Sequence, residues 1–469
     1  MDHSDHPTPL EALGGIAFSR VAEAKQSEGN AVRLLCDATA NYPAWLRAIA
    51  EARDTVHLEN YILAEDSVGR AFSDALIKAV RRGVCCRVLY DWLGCRTKTS
   101  ARFWTALRAA GIEIRCYNPP HFGNPLAWIS RDHRKLLCVD DRVAFTGGLC
   151  ISQDWEGPPP WRDTAVEVRG PAVAHFEAAF RDSWATAGPP IPAEAPQEPL
   201  DMARAGALSM WVIAGHPNDM GLYRLEQLIA EIVERSLWLS DAYFVATTGY
   251  VRALGGAARA GVDVRLLVPG SSNWPLIKMV SQAGYRPLLA AGVRVFEWNG
   301  PMMHAKTAVA DGCWTRIGSS NSNFASWISN RELDVTIKDR AFAKEMETLF
   351  EQDLGNATEI VLGSGETGAA NATGPAAAQW RAAHANRLIA GVVGLGNIVG
   401  ATVSQHRAPG PAEAILLSVA ATSLLILGVI AFLMPHLFAY LLGALAGWVG
   451  VALLVRAWKL RPPGLGRKP

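Results

Sequence analysis

The chain carries one short pattern twice. His133 is followed by Lys135 and Asp140, and His304 by Lys306 and Asp311, each time as His-x-Lys, four residues, then Asp. Seven residues past each Asp stands a small pair, Gly147-Gly148 and Gly318-Ser319. The likeness extends outwards: the run from Thr55 to Ile62 matches Leu237 to Phe244, Arg82 to Leu89 matches Ala260 to Leu267, and Ala110 to Arg115 matches Ala291 to Phe296. Each half therefore reads helix, glycine, β-branched strand, helix, glycine, strand. That alternation predicts layered α/β structure around a central sheet. A chain of 469 residues built this way is expected to fold as two similar lobes forming one pseudo-symmetric body, each lobe long enough for its own core. In the matched strands Glu59 and Asp241 take the same place.

The repeated residues suit attack on a phosphodiester. Such an anion resists a nucleophile, and a covalent intermediate on histidine splits the transfer into two easier steps. A second histidine can protonate the leaving alkoxide and later deprotonate the incoming alcohol. Lysine supplies a compact positive charge for the non-bridging oxygens. In an extended strand residues i and i+2 share a face, so His133 projects with Lys135 and His304 with Lys306. Asp140 and Asp311 have two readings: they fix a histidine tautomer, or they hold the turn after the strand. Glu59 and Asp241 either hydrogen-bond the histidines from behind or sit as solvated strand-end carboxylates. Asp163 and Glu332, charged and just beyond the motifs, either position a His or Lys or make surface salt bridges.

On these residues, together with Arg131, Asp132, Trp161, Arg162, Gly170-Pro171 and the run from Gly318 to Asn321, the chain resembles the phospholipase D superfamily, and within it the bacterial cardiolipin synthases. The resemblance spans residues 31 to 358. It implies two phospholipase D-like α/β lobes, a phosphohistidine intermediate with His133 and His304 as nucleophile and acid/base, Lys135 and Lys306 on the phosphate, and Asp140 and Asp311 completing the catalytic set. It implies no metal and no cofactor. Asn321 and Ser319 are expected to support the substrate phosphate. At the first motif the family's asparagine is replaced by Cys150, a poorer hydrogen-bond partner. The implied function is phosphatidyl transfer, foremost cardiolipin synthesis from phosphatidylglycerol. The rival readings are hydrolysis of phospholipids to phosphatidic acid, a nuclease on the same scaffold, or a catalytically weak membrane scaffold.

The C-terminal region points to a membrane. Residues 414–434 carry no Lys or Arg, nor do residues 437–455, and Pro435 lies between them. Each stretch is close to the ~20 residues that span a bilayer core, so a two-helix membrane hairpin is expected over 414–455. Arg407 precedes it and Arg456, Lys459, Arg461, Arg467 and Lys468 follow it, while the turn has no Lys or Arg. The positive-inside rule then puts both ends, and the catalytic body, on the cytoplasmic face of a bacterial-type inner membrane. A third apolar stretch, 388–403, contains Asn397 and is short for a span. The remaining divisions are an N-terminal tail (1–30) with at most a short helix, a first lobe (31–188), a proline-rich linker (189–200), a second lobe (201–358), a second linker (359–413) and a basic cytoplasmic tail (456–469). The formal net charge of +1 offers no basic excess for nucleic acid, and none is expected as a partner. The expected partners are a phospholipid and the membrane. Eight cysteines without metal-like spacing read as reduced thiols.

Overall fold

Strands such as Lys135–Val139 and Val143–Gly147 are buried along their whole length, and their sequences are correspondingly apolar. The computed structural model describes residues 7–120, 130–192 and 204–362, with isolated positions between 425 and 451. In the first half the strands are β1 (Gln26–Cys36), β2 (Thr55–Asn60), β3 (Cys85–Asp91), β4 (Glu113–Tyr117), β5 (Lys135–Val139), β6 (Val143–Gly147) and β7 (Thr164–Arg169). In the second half they are β8 (Leu208–Gly215), β9 (Ser236–Ser240), β10 (Asp263–Pro269), β11 (Arg294–Trp298), β12 (Thr307–Ala310), β13 (Trp314–Gly318), β14 (Glu332–Lys338) and β15 (Ala357–Ile360). They join into one 15-stranded mixed sheet, ordered β15-β11-β10-β9-β12-β13-β14-β8-β1-β7-β6-β5-β2-β3-β4. From the central antiparallel pair β8–β1 the order runs outward identically in both halves, with β15 the one addition. The trios β2–β3–β4 and β9–β10–β11 are parallel and the other pairings are antiparallel.

Helices cross between the parallel strands. The helix Ser67–Arg81 buries Val68, Phe72, Leu76 and Ala79 on one face and is capped by Asp66, whose carboxylate accepts from Gly69 N at 3.0 Å. It stops at Gly83, with φ +93°. The helix Thr248–Arg259 stops in the same way at Gly261, φ +97°. Only glycine enters this left-handed region without cost, so these are the helix-ending glycines that punctuate both halves of the sequence.

The core has three parts. Trp45, Phe72, Leu58 and Leu137 belong to a cluster confined to the first lobe. Leu225, Leu254, Leu266 and Trp314 belong to its counterpart in the second. Along β5 the alternate residues Leu136 and Cys138 turn into a third cluster, shared by both lobes. There Phe176 and Phe180 of the helix Val173–Thr186 pack in the same apolar layer as Phe342, Met346 and Phe350 of the helix Arg340–Leu354. The two lobes thus share one apolar layer.

Two expectations change, and a third falls outside the described residues. The first thirty residues are no loose tail: helices Pro9–Ala12 and Gly15–Ala22 place Leu10, Phe18 and Ala22 in the second lobe's cluster, and β1 begins at Gln26. Glu59 and Asp241 are not equivalent. Lys135 pairs with Asn60, and Thr307 pairs with Ser240, so Asp241 matches Asn60 and Glu59 matches Ser240 on the opposite face of its strand. The hairpin expected over 414–455, apart from isolated helical positions, lies outside the described residues, as do 388–403 and most of both linkers. Among the described residues no helix is long and apolar enough to cross a membrane.

Candidate active site

Each histidine is held by the opposite lobe. His133 N donates to Arg331 O at 2.9 Å, and His304 N donates to Arg162 O at 2.7 Å. The residue after each arginine is a carboxylate, and it reaches the ring so placed. Glu332 Oε2 lies 2.9 Å from His133 Nδ1, and Asp163 Oδ2 lies 2.7 Å from His304 Nδ1. Of the two readings open for Asp163 and Glu332, the structure shows the first. The arginine side chains also cross over: Arg162 makes a bidentate pair with Asp353 at 2.8 and 2.9 Å, and Arg331 bonds Asp182 and Ser183.

The small pairs follow from this crossing. A Cβ at Gly147 would meet Ala165, and one at Gly148 would come within 2.1 Å of the Asp163 carboxylate. At the position matching Gly148 the second lobe has Ser319, whose hydroxyl donates to Glu332 Oε2 at 2.6 Å. Asp163 accepts also from Trp155 Nε1 and from Thr164 N, each at 2.8 Å. Ser319 Oγ is thus engaged with the carboxylate and accepts from Leu333 N at 2.9 Å. Asn321 stays available: its Oδ1 is buried with no hydrogen-bond partner among the described residues. Cys150 is buried in the first lobe's core, and its carbonyl accepts from Tyr42 at 2.7 Å.

Lys135 Nζ reaches back to His133 O at 2.5 Å, and Lys306 makes the same contact with His304 O. Both ammonium groups stand over a tyrosine ring, Lys135 5.3 Å from the centroid of Tyr61 and Lys306 5.9 Å from that of Tyr243. The same tyrosines meet the histidines edge-on, at 5.0 Å for His133 and 5.9 Å for His304. Trp155 and Trp161 complete the wall around His304, at 5.1 and 5.5 Å. Tyr61 and Tyr243 were visible in the sequence only as one more matched residue of the repeat.

The remaining carboxylates lie off the rings. Asp140 accepts from the backbone N–H groups of Arg53, Asp54 and Thr55, each at 2.8 Å. Asp311 does the same for Glu234, Arg235 and Ser236. Both aspartates sit at the turn after their own strand and hold the loop before the neighbouring one, and neither bonds the ring of His133 or His304. Asp241 accepts from Tyr243 N at 2.9 Å and Ser322 N at 2.6 Å, so it orders the tyrosine and the Asn321 loop. Glu59 is buried beside Asp132, whose carboxyl is pushed well up by burial and by Glu59 itself. Neither Glu59 nor Asp241 bonds His133 or His304.

Burial lowers the pKa of both rings. His304 falls to about 3, through burial first and then Lys306, against the pull of Asp163. His133 is lowered by burial and by Lys135, with Glu332 opposing. Lys306 is itself lowered to about 8 by burial, with Lys135 adding to the shift. Lys306 acts on His133 and Lys135 acts on His304, so both motifs belong to one electrostatic site. Two neutral imidazoles result, each donating Nδ1–H to an ionised carboxylate and leaving the Nε2 lone pair for chemistry. Nε2 of neither ring has a hydrogen-bond partner among the described residues. A phosphodiester between the lysines would offset their charge and favour protonation of one ring.

Comparison with known proteins agrees with this arrangement. The family described as cardiolipin synthase, phospholipase D-like domain, matches residues 45–184 and 228–354. Cardiolipin synthase B of Salmonella typhimurium is 34% identical over 67% of this chain and 78% of its own length. Cardiolipin synthase 1 of Bacillus cereus is 29% identical over 70% of this chain and 67% of its own length. Among solved structures, a phosphatidylserine synthase of Haemophilus influenzae superposes with a TM-score of 0.54 at 13% identity, covering 73% of this chain and 92% of its own, a likeness of fold. With two crossed histidine sites in one mixed sheet, this chain belongs to the phospholipase D-like cardiolipin synthase family.

Proposed function

We propose that the chain is a phosphatidyltransferase that makes cardiolipin from two molecules of phosphatidylglycerol through a phosphohistidine. The observation that carries this reading is the crossed pair of imidazoles, each anchored at Nδ1 and open at Nε2, between two lysines. In the first step His133 Nε2 attacks phosphorus, an N–P bond forms, and the bond to the glycerol oxygen breaks. Protonated His304 gives its proton to that oxygen. In the second step the hydroxyl of another phosphatidylglycerol gives its proton to His304 and attacks phosphorus, and the N–P bond breaks. One phosphodiester replaces another, so the transfer needs no nucleotide. Lys135, Lys306 and Asn321 hold the non-bridging oxygens.

This order is supported by exposure, since the His133 side chain is 12% exposed and that of His304 5%. The deeper depression of His304 supports the reverse order, because a neutral ring is the better nucleophile. Acid quenching with phosphorus-labelled phosphatidylglycerol and peptide mapping decides: label on His133 is expected, and label on His304 reverses the roles. Free phosphatidic acid without cardiolipin would make the chain a hydrolase instead. The same reading places the body on the cytoplasmic face of a bacterial inner membrane, supported by the uncharged stretches 414–434 and 437–455 and the basic residues outside them.

A further inference from the structure

Among the described residues few large apolar side chains of the body stand in solvent, and three of them lie on segments bound to the site's tyrosines. Leu93 is 38% exposed, Trp274 60% and Phe324 60%. All three ride on segments fixed to the two tyrosines that flank the histidines, Leu93 on the short helix Trp92–Cys95. Leu93 N donates to Asp91 Oδ1 at 2.8 Å, and the turn packs so closely on Tyr61 that a Cβ at Gly94 would lie 2.1 Å from Tyr61 O. Trp274 follows Asn273, which accepts from the Tyr243 hydroxyl at 2.7 Å. Phe324 follows Asn323, whose Nδ2 donates to Tyr243 O at 3.0 Å. The apolar side chains thus sit one residue away from the groups that bind Tyr243, or on the turn that covers Tyr61. They come from both lobes, as the site does. Other exposed apolar residues of the body lie elsewhere: Ile16 is on the N-terminal helix, and Val361 and Leu362 follow the edge strand β15.

We propose that Leu93, Trp274 and Phe324 form a lip by which the cleft seats in the interfacial region of a lipid bilayer. The proposal rests on the phospholipid reading given above and adds to it the surface through which the substrate is reached. Exposure of aromatic side chains to water is unfavourable, and tryptophan is suited to the headgroup level, with its ring in the acyl boundary and its N–H in water. A protein partner fits less well. The three residues come from separate segments bound to the site's two tyrosines, so a protein seated on all of them would cover the cleft. A bilayer accepts scattered side chains and delivers the substrate from the same side.

The test uses the full chain, reconstituted in phosphatidylglycerol vesicles, against the double variant Trp274→Ser/Phe324→Ser. Turnover is measured on the vesicles and, separately, on a short-chain phosphatidylglycerol below its micelle concentration. The double variant is expected to lose about tenfold on vesicles, because two interfacial side chains no longer insert, while keeping its rate on the monomeric substrate to within about twofold. Unchanged vesicle turnover overturns the lip, and so does an equal loss on both substrates, which would put the residues in the chemistry instead. A second measurement does not depend on turnover. Lipids brominated high in the acyl chain should quench less tryptophan fluorescence in Trp274→Ser than in the parent chain. Equal quenching overturns the proposal even if the parent chain turns over neither substrate, a result that would count against the phosphatidyl-transfer reading by itself.

Discussion

Replacing Glu332 by glutamine keeps the length of the side chain and removes the charge that holds His133. The amide can offer the ring an N–H as easily as an oxygen, so the tautomer with its proton on Nε2 becomes competitive and the lone pair is lost from the cleft. Glu332→Gln and Asp163→Asn are each expected to lower kcat by about 10²-fold or more, with little change in thermal unfolding. A loss confined to KM would show that these carboxylates do not act through the rings. A second residue-level consequence concerns charge. Lys306 sits at about 8 because burial disfavours its ammonium, so kcat/KM should fall as pH rises through that value and the lysine loses its proton. In Lys306→Arg the guanidinium stays charged, and the alkaline limb should move above about pH 10 whatever the absolute rate. An unmoved limb would assign the titration to another group. The histidines and lysines themselves were legible from the repeat. The carboxylate partners were only half legible, because a sequence shows that Asp163 and Glu332 follow the motifs but not that each serves the ring of the other lobe.

Asp140 and Asp311 are bonded to backbone elements, each holding the N–H groups ahead of a neighbouring strand. Each sits at positive φ, 52° and 49°, at the end of a strand and gathers the backbone N–H groups that lead into the neighbouring strand. Asp140→Ala removes those acceptors and leaves a side chain that tolerates the left-handed region poorly, a combined cost of about 2 kcal/mol. Urea unfolding should show that loss, with kcat/KM of the folded variant within about threefold of the parent. A fall in kcat/KM of about 10²-fold at unchanged stability would return Asp140 to the chemistry. Which of the two readings of the aspartate applies was not legible in the sequence: it follows the histidine along the chain, but the strand β5 between them carries it to backbone N–H groups away from the ring. The same limit explains Glu59. The two halves align by residue type at Tyr61 and Tyr243, yet the second half has one more residue between strand and tyrosine, so the match slips by one and each preceding side chain changes face. The helix–glycine–strand rhythm survived because positive-φ glycines mark it directly. The N-terminal helices did not, since what orders them is the second lobe's core, remote in sequence.

At the level of the whole molecule the repeat does more than supply two copies of a motif. The central pair β8–β1 makes one sheet of both halves, the third apolar cluster draws on both, and Arg162–Asp353 and Arg331–Asp182 tie each lobe to a helix of the other. A histidine from one lobe is aligned only when the other lobe presents its Arg–carboxylate pair beside it. One chain therefore completes the site, and the two histidines cannot be supplied independently by separate chains unless the lobes themselves exchange. Exchange would require breaking the β8–β1 ladder and exposing the shared apolar layer, a large cost next to the ~5–15 kcal/mol that holds an ordinary fold together. Co-expression of His133→Ala and His304→Ala chains is thus expected to yield no more product than the sum of the two expressed alone. The lipid product is measured in the same membranes, with both chains quantified, so that a missing partner is not mistaken for failed complementation. Restoration toward a quarter of parental activity, the share expected if lobes paired freely between chains, would show that lobes trade partners and that the crossed carboxylates can come from a second copy.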